Sequence, residues 1–150
     1  MTRLLAAAAL ALSLGVSAAA DDKNATAAKS ELVKFTGTWQ GVSVVRDGKD
    51  VPKPEAEAVR LVVAGEKYKL TEGGETIEGT HTLDPAAKPK RIDAVRTAGP
   101  NKGEKLYGVY ELTEDSFVVS FAAPGKDRPA VLDAKGGPGT RVLAFKREKK

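Results

Sequence analysis

Hydrophobic and polar residues alternate along most of the chain after residue 36, with the period of two that is typical of half-buried β-strands. The alternating segments are rich in β-branched and aromatic residues. All eight prolines fall between these segments, as expected, since proline cannot donate a hydrogen bond to a sheet ladder. The pattern predicts eight strands, at residues 37–46, 59–64, 67–72, 75–83, 91–97, 105–112, 116–122 and 140–147.

Several of these strands are joined by connections of two or three residues: Gly65-Glu66, Gly73-Gly74 and 113–115. Such short connections link neighbours in sequence as antiparallel hairpins. A run of hairpin-linked strands with one apolar face closes most economically on itself, because closure leaves no sheet edge exposed. The predicted fold is therefore all-β, an eight-stranded antiparallel up-and-down barrel. A barrel of this size is filled by side chains or holds one small ligand.

The sequence divides into three segments, the last of which contains the barrel. Residues 30–35 are expected to form a short N-terminal helical turn capped by Ser30, and residues 21–29 a disordered linker. The barrel domain is then expected to span residues 30–150. Residues 1–20 combine a basic start, the apolar run 4–16 and an A-x-A pattern at Ala18 and Ala20, the signature of a signal peptide.

The signal peptide predicts export to the periplasm or the extracellular space; an uncleaved N-terminal anchor is the alternative. The chain contains no cysteine, which excludes a lipoprotein anchor, a thiol enzyme and disulfides, so packing must stabilise the fold. No later segment reaches the length of a transmembrane helix, and we expect a monomer.

Hydrophobic residues make up 41% of the chain, and many of them lie in the leader. The hydrophobic residues that remain suffice for the core of one domain. The net charge of +4 comes from basic residues interleaved with acidic ones, without the aromatic and basic stripe that stacks nucleic-acid bases. Nucleic acid is therefore not expected as a partner.

Alternation also indicates which side chains face the barrel interior. From these we select as candidate ligand-binding residues Tyr68, Leu70, Ile77, His81, Tyr110, Phe117 and Phe121. His81 is the only histidine. It is expected to be a buried structural residue, with a ligand contact or a pH-sensitive role as the alternative. No second histidine or cysteine exists to share a metal ion.

The sequence contains none of the motifs that place a nucleophile or bind phosphate in enzymes. The serines after the leader lie in no G-x-S-x-G segment, and the glycine-rich segment 135–140 lacks the phosphate-binding P-loop pattern. No pair of carboxylates stands out for acid–base chemistry. The sequence thus predicts a protein that is not an enzyme and needs no cofactor.

Gly37-Thr38-Trp39 opens the first strand, and Gly-x-Trp in this position resembles the first signature of the lipocalin superfamily. Four segments carry the resemblance further, to an uncharacterised lipocalin-like domain family expanded in planctomycete bacteria: GTWQGVSVVRDGKDVP, YKLTEGGETIEGTHTLDPAAKPKRID, GPNKGEKLYGVYELTEDSFVVSFAAPGKDRP and RVLAFKRE. The resemblance implies that Gly37 and Trp39 close one end of the barrel, with Lys146 or Arg147 packed over the tryptophan.

Strand order places Trp39 at one end and three long loops, 47–58, 98–104 and 123–139, at the other. The charged residues of these loops, Arg128 among them, are nearly balanced in sign, which favours a mixed solvated rim over an anion-preferring mouth. Two functions remain. The first is an exported, non-catalytic barrel that binds a small apolar or amphipathic ligand. The second is a barrel filled by side chains that serves through its loops as an interaction or cell-envelope structural module, with an envelope protein as partner.

Overall fold

The computed structural model describes residues 17–149, whose strands form one antiparallel sheet that closes on itself by pairing of the first and last long strands. Every other neighbouring pair of long strands is consecutive along the chain. The strands are β1 Gly37–Arg46, β2 Lys49–Asp50, β3 Arg60–Ala64, β4 Lys67–Glu72, β5 Glu75–Asp84, β6 Lys90–Ala98, β7 Lys105–Leu112, β8 Ser116–Ala122 and β9 Thr140–Arg147. The two-residue strand β2 pairs antiparallel with the last two residues of β1. The predicted eight-stranded barrel is confirmed.

The helix before the barrel is longer than predicted. It is α1, Ser17–Phe35, so residues 21–29 belong to a helix and not to a disordered linker, and Ser30 lies inside the helix instead of capping it. The segment has no glycine or proline and several alanines and lysines, which favour helix over coil. The predicted leader, 1–20, falls mostly outside the described residues and stays a prediction.

A second helix, α2 (Lys53–Glu57), occupies the predicted loop between the first two long strands. It packs against β1 at Gly41, where a Cβ atom would come within 2.1 Å of the Ala56 carbonyl oxygen. The Gly41 amide donates to the Val59 carbonyl at 2.8 Å. Ala56 and Val59 are both 1% exposed, so this segment forms part of the barrel wall. None of the helices in the described part of the chain is both long and apolar enough to cross a membrane.

Register defines the two ends of the barrel. Gly37 pairs with Val63 and Trp39 with Arg147, so the turns after β3 and β7 lie at the Trp39 end, as predicted. Glu72 pairs with Glu75, which puts the tight turn after β4 at the opposite end. The long loops after β1, β6 and β8 lie there too, and we call this end the mouth.

The loop after β8, residues 123–139, does not stay at the mouth. We call it the strap, because it lies along the outer face of the barrel. Arg128 donates to the carbonyls of Ile92 and Gly108 at 3.0 and 2.8 Å and to Asp93 Oδ1 at 2.5 Å. Outward-facing side chains that are nonetheless buried mark the covered face: Val45, Val109, Ser120 and Val142. The expectation that Arg128 belongs to the charged rim is wrong, because its guanidinium satisfies carbonyls on the outer wall.

Replacing Arg128 with alanine is expected to release the strap and to lower the free energy of unfolding by about 1–3 kcal/mol, since hydrogen bonds from a charged donor are lost. The amide protons of residues 123–139 should then exchange faster with solvent. Hydrogen exchange read by NMR checks this. Lys126→Ala, an exposed change in the same loop, is the control and should leave the exchange rates as they are. Unchanged rates in the Arg128 variant would show that the strap is held elsewhere.

Candidate functional site

A partly enclosed cavity of about 60 Å³ lies between the strands, and the Phe35 and Phe117 rings form part of its wall. Its wall is almost wholly apolar and draws on α1 and on strands β3 to β9. The lining residues are Phe35, Leu61, Tyr68, Leu70, Ile77, His81, Ile92, Ala94, Arg96, Leu106, Phe117, Val119, Phe121, Arg141, Leu143 and Phe145. Six of the seven candidate binding residues, all except Tyr110, are thereby brought together around one space.

Trp39 closes the barrel at the end opposite the mouth. Its side chain is fully buried (0% exposed), and its Nε1 donates to the Phe35 carbonyl at 2.9 Å. The Arg147 guanidinium carbon lies 4.2 Å from the centre of the Trp39 ring, in the geometry of a cation–π contact. Of the two basic residues considered from the sequence, Arg147 therefore packs over the tryptophan, whereas Lys146 is exposed.

Arg147 also satisfies backbone groups at this end of the barrel. It donates to the carbonyls of Thr36 at 2.9 Å and Glu114 at 2.6 Å, and to that of Lys34. Gly37 makes the close approach possible, because a Cβ there would lie 2.6 Å from Arg147 Nη1. With φ at 147°, a backbone conformation that favours glycine, Gly37 is required by the geometry of the closed end.

Tyr110 lies apart from the other candidate binding residues. Its ring packs beside Phe117, with centroids 6.0 Å apart, and its hydroxyl donates to Glu31 Oε1 at 3.1 Å. Glu31, which is 5% exposed, also accepts from Lys90 Nζ at 2.7 Å. Burial, and then the Glu31 charge, raise the pKa of Tyr110. The residue therefore ties α1 to the barrel instead of facing the cavity.

His81 is the buried polar residue of the cavity wall, with only 2% of its surface exposed. The Phe35 and Tyr68 rings flank it at 5.2 and 6.0 Å between centroids. Burial lowers the pKa of His81 to about 4, although a hydrogen bond to the Gly65 carbonyl acts in the opposite direction. The imidazole is thus neutral near pH 7. Its Nε2 has no protein partner; with the imidazole proton on Nδ1, Nε2 is a hydrogen-bond acceptor.

Arginine side chains form a neck between the cavity and the mouth. Arg96 pairs with Glu104, Nε to Oε2 at 3.4 Å, while Arg141 and Arg46 share the carboxylate of Glu72. Beyond this neck lies an outer recess of about 280 Å³, whose wall includes Arg96 and Arg141 as well. Cavity and recess therefore meet at the two arginines.

The neck was missed from the sequence, although a signal for it exists. Arg96 stands in phase with the inward residues Ile92 and Ala94, and Arg141 in phase with Leu143. An arginine at the end of a series of inward-facing residues indicates a charged side chain at the rim of the barrel that is directed towards the interior.

In chemical terms, the described residues provide an apolar space with a neutral acceptor in its wall and charged donors at its neck. No group of three histidine and acidic residues that could hold a metal ion occurs among residues 17–149. Comparison of the chain with protein-family models, with curated proteins and with solved structures found no match in any of the three. The barrel and its cavity are therefore the features from which a function is inferred.

Proposed function

We propose that the protein is an exported, non-catalytic, lipocalin-like barrel that binds a small apolar or amphipathic molecule in its interior. The observation that carries this proposal is the apolar cavity, closed at one end by Trp39 and bounded at the other by the arginine neck. Apolar cavities in proteins stay dry and take up apolar guests. A neck of ion-paired side chains can open by rotation of those side chains, whereas the closed end is held by backbone hydrogen bonds.

The size of the cavity limits the ligand. At about 60 Å³, it has room for roughly two groups the size of a water molecule, so a few heavy atoms fit inside and the rest of a ligand would extend into the recess. Small ligands gain at most about 1.5 kcal/mol per heavy atom. For a guest of four heavy atoms, this gives a dissociation constant no tighter than about 40 μM.

Two parts of the proposal rest on the sequence. The Gly37-Thr38-Trp39 signature and the four segments that follow it support membership of the lipocalin-like family seen in planctomycetes, and the closed barrel is consistent with that family's fold. The basic start, apolar run and A-x-A pattern of residues 1–20 support export.

The alternative is a filled barrel that acts through its surface on an envelope protein. One observation favours it, namely that about 60 Å³ is well below the roughly 300–1,000 Å³ of typical ligand pockets. In this case the small cavity is a packing defect, and the barrel serves as a rigid scaffold whose loops bind the partner. The two functions differ in whether a guest enters the cavity.

Filling the cavity tests the proposal. Ala94 lines it and is 5% exposed, so Ala94→Leu adds side-chain volume where the ligand would lie. We expect the wild-type protein, immobilised and incubated with a small-molecule extract of the source cells, to retain a compound that the Ala94→Leu variant does not. Mass spectrometry of the eluted material is the measurement.

Ala130→Leu makes the same change at an exposed position of the strap and is the matched control, which should retain the compound. Xenon-129 NMR provides an independent readout, with a protein-dependent shift in the wild type and the control only. If wild-type protein binds neither xenon nor any extracted compound, the barrel is filled and the ligand-binding proposal fails.

A further inference from the structure

Two buried side-chain atoms among the described residues have no hydrogen-bond partner in the protein: His81 Nε2 and Arg141 Nε. Both residues line the same cavity. Buried polar atoms are paired in the great majority of cases, and an unpaired one costs about 1–3 kcal/mol. Because both unpaired atoms belong to residues that line one small apolar cavity, they indicate which hydrogen-bonding groups a ligand in that cavity carries.

The two atoms differ in chemistry and in position. His81 Nε2 is an acceptor in the neutral imidazole, and it lies where the Phe35 ring from α1 closes the cavity. Arg141 Nε is a donor on β9 at the neck, in a residue whose Nη2 pairs with Glu72. One end of the cavity thus lacks a donor, and the other end lacks an acceptor.

We infer that the ligand is a short, mainly apolar molecule with a hydroxyl or N–H donor at its inner end, which pairs with His81 Nε2, and an oxygen acceptor at its outer end, which pairs with Arg141 Nε. This inference rests on the proposed function and specifies its ligand class. A carboxylate fits as the outer group, because its oxygen forms a charge-assisted hydrogen bond with a guanidinium N–H, and Arg46 and Arg96 also lie at this end of the cavity.

The neck does not select for anions by charge alone. The three arginines Arg46, Arg96 and Arg141 face Glu72, Glu104 and Asp47 around the recess and neck. Hydrogen-bond geometry at Arg141 Nε, rather than net positive charge, is what would recognise the outer oxygen. A water molecule at His81 is a poor substitute, since buried water needs two to four polar partners and Phe35 and Tyr68 flank the imidazole with aromatic rings.

A matched series of probes tests this ligand class. For chain lengths of three to six carbons, the alkane, the 1-alkanol, the alkanoate and the ω-hydroxyalkanoate are titrated against the full chain by ligand-observed NMR. We expect the alkanol to bind about tenfold more tightly than the alkane of equal length, which is the affinity that one additional hydrogen bond contributes. The ω-hydroxyalkanoate of matching length should gain about tenfold again.

Variants assign each gain to its residue. His81→Leu should abolish the preference for alkanol over alkane, while His81→Gln, which keeps an acceptor, should retain part of it. Arg141→Met should abolish only the preference for the carboxylate. Thr82→Val, an exposed change on the same strand as His81, is the control and should leave all preferences intact.

The outcomes separate this inference from the proposal beneath it. If the alkane binds as tightly as the ω-hydroxyalkanoate, the cavity binds apolar ligands but His81 Nε2 and Arg141 Nε do not contribute to their affinity. Only the present inference is then overturned. The same conclusion follows if His81→Leu folds and still prefers the alkanol. If no probe of any length binds although xenon does, the proposed ligand class is wrong; if neither xenon nor any probe or extracted compound binds, the ligand-binding function itself is overturned.

Discussion

Replacing Trp39 with alanine is expected to lower the free energy of unfolding by about 3–5 kcal/mol, the usual cost of truncating a buried aromatic residue. The side chain is 0% exposed, and the change also leaves the Phe35 carbonyl without its donor and the Arg147 guanidinium without its ring. Since domains of this size are stable by only about 5–15 kcal/mol, the variant should lie close to unfolding.

The measurement is urea denaturation followed by circular dichroism, because Trp39 is the only tryptophan and the variant has no indole fluorescence. Trp39→Phe separates the two contributions. It keeps an aromatic ring for Phe117 and Arg147 but removes the Nε1 donor, so it should lose less than Trp39→Ala. Equal losses in the two variants would mean that the hydrogen bond to Phe35, and not the packed ring, dominates at the closed end.

Acidification is expected to destabilise the barrel through His81. The folded state holds His81 with a pKa of about 4, whereas the unfolded chain protonates it near pH 6.5. Between these two values the unfolded state binds the extra proton, so stability is fully present above about pH 6.5 and is lost as the pH falls towards 4. The integrated loss from this residue is about 3 kcal/mol.

His81→Leu removes the titrating group while keeping an apolar side chain against Phe35 and Tyr68. Urea midpoints measured between pH 7 and 4 should therefore fall less steeply for the variant than for the wild type. The carboxylates, which titrate in both proteins, cancel in the difference between the two curves. Parallel curves would show that His81 is already protonated, or solvated, in the folded state.

Strand positions were predictable from the sequence because alternation and proline act locally. Each predicted strand coincides with an observed one to within a residue or two. Helix α2 was hidden by Pro52 and Pro54, which indicate a loop, although proline is compatible with the first turn of a helix. The full length of α1 was hidden because a polar, exposed helix leaves no periodic apolar pattern.

The candidate site was predictable in part, for a related reason. Alternation tells which face of a strand a residue occupies, but not how deep along the barrel axis it lies. Phe117 and Tyr110 both face inward, yet Phe117 reaches the cavity and Tyr110 lies beside Glu31. Depth depends on register between strands, which the pattern within one strand does not contain.

Closure of the barrel joins the two ends of its sequence. β1 pairs with β9 along most of its length, from Trp39 opposite Arg147 to Arg46 opposite Arg141, so the seam cannot form until the last strand is present. Contacts between distant segments make folding slow. If the chain is exported through a membrane, as we propose, this delay would keep the barrel open until its last strand has been synthesised.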